Sequence, residues 1–151
     1  KELMPLAEAR PGQLCYASAG KGTAGHLSGE LFKTMAKIDL VHIPYKGNVP
    51  ALTDVVGGQT SMLFATMPTA MPLARAGRLY AMAVTGAHRN PAAPEVPAIA
   101  ETLPGYEAIH WIGIFAPAQT PVDIAARLHA EIKRIMKLPD VQERLVTERD
   151  K

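Results

Sequence analysis

The chain has 151 residues, 48% of them apolar and 20% charged, which is the size and composition of one globular domain and not of a disordered segment. Lysine plus arginine total 16 and aspartate plus glutamate 14, a net charge of +2, and no run of like charge exists to follow a phosphate backbone, so nucleic acid is not an expected partner. The longest apolar stretch is far short of a membrane helix, and a single cysteine, Cys15, excludes an internal disulfide and a cysteine-based zinc site.

Lys1 to Arg10 places Leu3, Leu6 and Ala7 on one helical face, and Pro11-Gly12 stops it. Lys1 is no initiator and no signal-peptide pattern follows it, so the expectation is a mature product or a trimmed piece. Gln13 to Ser18 reads as a strand and Gly20 to Gly25 as a glycine-rich turn. The helix that follows sets Leu27, Leu31 and Met35 on its buried side and His26, Glu30, Lys33 and Lys37 on the other. Ile38 to Ile43 is the second strand, broken by Pro44. Val49 to Val56 is a short helix closed by Gly57-Gly58, a left-handed cap. Thr60 to Ala65 is a third strand, Pro68 starts a helix that Gly77 closes, and Leu79 to Thr85 is a fourth strand. Asn90 to Pro104, rich in proline, reads as a long ordered loop. Ile109 to Ala116 is a fifth apolar run, with Trp111 either in the core or lining a cleft. Thr120 caps the last clear helix, Pro121 fits its first turn, and Ile124, Leu128, Ile132 and Ile135 form its stripe. Pro139 breaks that helix, and Val141 with Leu145 suggests one more. The alternation predicts an α/β fold, a three-layer sandwich with a mainly parallel sheet.

Ligands bind such sheets beyond the carboxyl ends of the strands. Those ends carry Ser18-Ala19-Gly20, Tyr45-Lys46-Gly47, Thr66 and Thr85-Gly86: hydroxyls, glycine backbone and a lysine, with no carboxylate in the first three turns. That edge suits an anion. Gly20-Lys21-Gly22-Thr23-Ala24-Gly25 matches G-x-G-x-x-G between a strand and a helix, where backbone N–H groups and the helix start can hold a carboxylate or phosphate. A nicotinamide-binding enzyme would need an acidic residue at the end of the second strand. Asp39 stands at its start and Tyr45 at its end, which counts against that alternative. A phosphate-binding P-loop is excluded because Gly22 follows Lys21. Ser18 and Thr23 could instead only cap the helix. His26 and Glu30 read as an exposed surface pair, His42 as a satisfied core histidine and Cys15 as a small buried group; Met62, Met67, Met71 and Met82 read as core filler. No metal set, paired carboxylates or nucleophilic triad emerges, and no cofactor is expected.

Several segments resemble a known family. They are Tyr16 to Phe32 (YASAGKGTAGHLSGELF), Val41 to Gly47 (VHIPYKG) with Pro50 to Asp54, Ala76 to Leu79, Ala83 to Thr85, Pro94 to Pro97, Leu103 to Glu107, Trp111 to Pro117, and Thr120-Pro121. In order, from about Leu3 to Leu145, they resemble the Bug (TctC-like) periplasmic solute-binding proteins of tripartite tricarboxylate transporters. The resemblance implies one lobe of a type II periplasmic-binding (flytrap) fold: residues 1–117 as the second, ligand-binding lobe, and 118–151 as a returning helical segment, cut short. It implies a periplasmic, non-catalytic protein that binds a small carboxylate for uptake. Its partners would be a first lobe, of the same or another receptor, and membrane transporter subunits. By position, Ser18, Ala19, Gly20, Gly22 and Thr23 would hold the carboxylate, and Tyr45, Gly47 and Thr66 would line the cleft. Many members carry an aspartate after the third strand, able to meet a ligand amine. Phe64-Ala65-Thr66 stands there instead, which implies an organic acid without an amine. After Leu145 the chain runs Val-Thr-Glu-Arg-Asp-Lys and ends where the family continues, which implies either a trimmed piece or a natural single lobe. In the second case the alternative is an interaction module or homodimer that binds no solute.

Overall fold

The computed structural model describes residues 3–110 and 113–141. The chain divides into two compact units, Lys1–His110 and Trp111–Lys151.

The first unit is built on three short parallel strands: β1 (Cys15–Ser18), β2 (Val41–Pro44) and β3 (Met62–Leu63), in the order β2-β1-β3. The register sets Tyr16 beside both His42 and Met62, and Ala17 beside Ile43 and Leu63. The helices of this unit are α1 (Leu3–Ala9), α2 (Ala24–Ala36), α3 (Asn48–Val56) and α4 (Met67–Arg75). Helix α2 links β1 to β2, and α3 carries the chain back across β1 to β3. Right-handed crossovers in opposite directions put α2 on one face and α3 on the other, which is the expected three-layer arrangement. The reversal also makes the β1/β3 boundary a topological switch point, the place beyond the strand ends where such sheets bind ligands.

The core joins Ala7, Tyr16, Phe32, Ile38, Leu40, Met62 and Tyr106. Tyr16 and Tyr106 are fully buried. Each such ring removes about 150–250 Å² from water, a gross gain of about 4–6 kcal/mol. An unpaired hydroxyl would forfeit about 2–7 kcal/mol of that. Both hydroxyls are paired: Tyr16 donates to Glu30 Oε1 at 2.6 Å and Tyr106 to the Ser28 carbonyl at 3.0 Å.

Helix α2 departs from its predicted orientation. Its buried residues are Ser28, Gly29 and Phe32, whereas Leu27 is 59% exposed and Leu31 and Met35 are half-buried. The reason is close approach: a Cβ on Gly29 would overlap the Tyr16 ring, and one on Gly25 would lie 2.5 Å from the Phe64 carbonyl oxygen. Small residues, invisible to an apolar periodicity, let the helix descend onto the sheet.

The expected fourth strand is absent as well. Of Leu79 to Thr85, only Val84 makes a bridge, to Ala98. Val84 N–H donates to the Pro97 carbonyl at 2.9 Å, and Ile99 N–H donates to the Val84 carbonyl at 3.0 Å. Proline has no N–H to extend that pairing, so it stays a single bridge. Asn90 to Pro104 is the expected ordered loop. Arg89 bonds both Glu101 carboxylate oxygens, at 2.7 and 2.8 Å, and the Pro94 carbonyl at 3.0 Å. Cys15 is half-buried and its sulfur sits 3.7 Å from the Ser61 hydroxyl. Met62 and Met71 are buried, whereas Met82 is 42% exposed.

The second unit carries α5 (Val122–Ile135). Pro121, not Thr120, stands at its N-cap, with no side-chain cap bond. The predicted stripe has helical spacing, but no residue of α5 is buried, and Ile124, Leu128 and Ile135 are 45%, 51% and 41% exposed. The fifth apolar run forms no strand in its described residues, 109–110 and 113–116. Trp111, Ile112 and the expected helix around Leu145 lie outside the described residues.

Candidate functional site

The strand β1 ends on Ser18, and the next residues turn sharply into α2. Gly20 (φ 145°) and Gly22 (φ 79°) take backbone conformations closed to most side chains. A Cβ on Gly22 would meet nothing within 4 Å, so this glycine is required by its backbone angle and not by crowding.

Internal hydrogen bonds hold the turn. The Gly20 carbonyl accepts from Thr23 Oγ1 at 2.7 Å and from Thr23 N–H at 3.3 Å. Ser18 Oγ, fully buried, lies 3.2 Å from Gly20 N, 3.1 Å from Gly20 O and 2.8 Å from His42 Nε2. A hydroxyl has one proton to give, so all three contacts are satisfied when Gly20 N–H and His42 Nε2–H donate to Oγ and Oγ–H donates to the carbonyl. Thr23 stands at the N-cap of α2, but neither its hydroxyl nor that of Ser18 caps the helix: both are committed to the turn.

The second loop joins the first directly. Tyr45 N–H donates to the Ser18 carbonyl and Gly47 N–H to the Ala19 carbonyl, both at 3.0 Å. The Tyr45 hydroxyl is held by Asp54 Oδ2 at 2.7 Å, and that bond raises its pKa. Thr66 lies three residues beyond Leu63, the partner of Ala17, and precedes α4. Its hydroxyl faces that of Thr69 at 3.0 Å, and among the described residues no hydrogen bond joins it to the glycine turn. The structure therefore brings Ser18, Ala19, Gly20, Gly22, Thr23, Tyr45 and Gly47 together, and sets Thr66 at the neighbouring strand end.

The N–H groups of Gly20, Gly22 and Thr23 already have partners within the protein. Those of Ala19 and Lys21 have none among the described residues. The first turn of α2 adds N–H groups that no helical carbonyl can reach, together with the positive end of the helix dipole. The free donors of this edge are thus Ala19, Lys21 and the α2 start. Asp39 precedes β2 and is exposed, so no carboxylate meets the donors from the second strand end.

Sequence reasoning missed the residues behind the turn. Gly22 N–H donates to His26 Nδ1 at 3.0 Å. The His26 ring stacks on His42 with centroids 4.2 Å apart, and His42 stacks on Tyr16 at 4.8 Å. His26 and Glu30 are half-buried members of this cluster, not an exposed pair. Glu30 takes the Tyr16 hydroxyl and lies 3.2 Å from Lys33 Nζ. His42 is satisfied, as expected, but by Ser18 and only half-buried. The Tyr16 bond lowers the Glu30 pKa, aided by Lys33. Burial, then His26, lowers that of His42. The signal was the parallel pairing of Tyr16 with His42, which no single segment displays. Among the described residues no group of histidine, cysteine and carboxylates is placed to hold a metal ion.

Comparison with known proteins identifies the family of the chain. A family model described as "Tripartite tricarboxylate transporter family receptor" (TctC) matches residues 1–150. A UPF0065 protein of the tcbD-tcbE intergenic region of Pseudomonas sp. is 42% identical over 146 residues, 95% of this chain and 44% of the relative. Rpa4515 of Rhodopseudomonas palustris, solved with adipate, matches at a TM-score of 0.90 and 35% identity over 97% of this chain and 50% of that one. MatC of the same organism, with bound malate, matches at 0.86 and 33% identity, again over 97% and 50%. The chain spans about half the length of these relatives.

Proposed function

The chain belongs to the tripartite tricarboxylate transporter family receptors, and we propose that it forms the lobe whose glycine turn grips one carboxylate of a small organic acid. The observation that carries this reading is the edge at the β1/β3 switch point. There the free N–H groups of Ala19, Lys21 and the α2 start lie at the carboxyl end of β1, with the Tyr45–Gly47 loop bonded to the turn on the β2 side and its nearby carboxylate, Asp54, engaged by the Tyr45 hydroxyl. Backbone donors at a helix start are an anion site by construction. Adipate and malate in the structural relatives support a dicarboxylate as ligand. Receptors of this family are not enzymes, which sets aside the nicotinamide alternative.

The mechanism is binding and release. The turn supplies charge-assisted hydrogen bonds, each about twice as strong as a neutral one. Ser18, Gly20 and Thr23 hold the shape of the turn, and Gly22 supplies the backbone angle that no β-branched residue adopts. Thr66 offers a hydroxyl from the next strand end. A first lobe would close over the other end of the acid by hinge motion, and the closed pair would present it to membrane subunits from the periplasm.

The test is calorimetric titration of the chain with adipate. Gly22→Val should lower the affinity at least about fivefold, because a left-handed backbone at a β-branched residue costs on the order of 1–3 kcal/mol and reshapes the turn. Gly22→Asn, which tolerates that angle, should lose less. Wild-type affinity in a folded Gly22→Val chain would remove the turn from the site.

A further inference from the structure

Two histidines stand directly behind the turn, and the hydrogen bonds fix what each must do. His26 Nδ1 accepts the Gly22 N–H at 3.0 Å, so that nitrogen carries no proton and the ring is neutral, protonated on Nε2. His42 Nε2 lies 2.8 Å from Ser18 Oγ, and the two rings stack at 4.2 Å with their planes 29° apart. The rings thus hold both ends of one turn: Gly22 through His26, and Ser18 through His42. We propose that His26 is a positioning residue for the turn, acting through Gly22 in its neutral form with His42 bracing its ring, and that protonation of His26 releases the turn.

This rests on the reading of the turn as the carboxylate site. The chemistry is a simple incompatibility. An imidazolium donates from both nitrogens and accepts at neither, so a protonated His26 cannot take the Gly22 N–H. The charged and titratable groups around the pair pull in both directions. Glu30 and Lys33 come from α2 itself, Tyr16 from β1, Lys21 from the turn and His42 from β2. At His42 only Glu30 favours a cation; a proton on His26, together with Lys21 and Lys33, opposes one, and the Tyr16 hydroxyl is already spent on Glu30. Burial holds His42 below the ordinary histidine range, so the pair does not take two protons together on mild acidification. A cation behind the turn would also attract an anion directly. Positioning and attraction therefore predict opposite slopes on the acid side of neutrality, which makes the role measurable.

The experiment uses the whole chain, with adipate as probe, and compares wild type with His26→Asn and His26→Ala. Asparagine Oδ1 can take the place of Nδ1 as acceptor and does not titrate. In the wild type, exchange protection of the Gly22 amide in NMR should fall at least tenfold from about pH 7.5 to about pH 5. Adipate affinity should fall over the same interval by more than in His26→Asn, which sees the same ionisation of the ligand. His26→Asn should keep the Gly22 amide protected across the range, and His26→Ala should leave it unprotected throughout. The amide readout needs no ligand, so a chain that binds no adipate while passing it would overturn the carboxylate reading and leave the positioning role standing. A pH-independent Gly22 amide, equal behaviour of the asparagine and alanine variants, or adipate affinity that rises on acidification in the wild type alone would overturn the positioning role.

Discussion

Tyr16 shows how one side chain serves packing and charge at once. Its ring is fully buried and stacks on His42, while its hydroxyl reaches Glu30 at 2.6 Å. That bond is the largest influence lowering the Glu30 pKa from 4.5. A depressed carboxylate stabilises the fold above its unfolded pKa, and the contribution is lost as pH falls through the folded one. Tyr16→Phe keeps the ring and removes the donor. Because Glu30 is partly exposed and screened, the expected loss near neutral pH is about 1 kcal/mol, shrinking toward zero below about pH 4. Urea unfolding of both proteins at the two pH values measures it; an equal loss at both would detach the effect from Glu30. The identities of the turn residues were legible in the sequence because the G-x-G-x-x-G spacing is local. The histidine cluster was not, because His26 and His42 sit on different elements and meet only when β1 pairs with β2.

Among the elements, α2 is the one whose placement decides the site. Its N-terminus supplies donors to the turn, and its height above the sheet is set by Gly25 and Gly29. Alanine favours a helix over glycine by about 0.5–1 kcal/mol. At Gly29 the added methyl group would overlap the Tyr16 ring, and such overpacking costs about 1–3 kcal/mol. The second effect wins, so Gly29→Ala should lower the urea midpoint. A higher midpoint would mean that α2 shifts freely on the sheet. The same element explains where periodicity fails. Leu27, Leu31 and Met35 form an apolar row, yet the buried row is Ser28, Gly29 and Phe32, because contact distance outranks hydrophobicity when a helix must pass close to an aromatic ring. Leu79 to Thr85 fails differently: its composition suits a strand, but its hydrogen bonds go to Leu73, Pro97, Ile99 and Ala108 and not to the sheet.

At the scale of the whole molecule, the Lys1–His110 unit holds the glycine turn, the second loop and both buried tyrosines. Burial pushes Tyr106 up to about 12, and burial with the Glu30 bond pushes Tyr16 well above the ordinary phenol range. A raised tyrosine pKa contributes stability that is fully present below the unfolded value near 10 and is lost as pH rises through the folded one. The unit should therefore begin to lose stability above about pH 10. Tyr106→Phe should cost about 1 kcal/mol at neutral pH through the Ser28 bond and flatten the alkaline limb. Thermal unfolding followed by circular dichroism across that range tests both; an unchanged alkaline limb would assign it to other groups.

The sequence by itself determined the α/β class, the parallel order of elements and the family, because each rests on local spacing or on a long run of ordered motifs. Tertiary structure alone decided three things. It gave a sheet of three strands, since Val84 finds its partner in a proline-bounded segment. Among the described residues it left Ala19 and Lys21, and not Gly20, Gly22 and Thr23, with open N–H groups, since hydrogen bonds within the turn and to His26 claim the others. It brought Tyr16, His42 and His26 into one stack, since only strand register and helix height set distances between residues far apart in the chain.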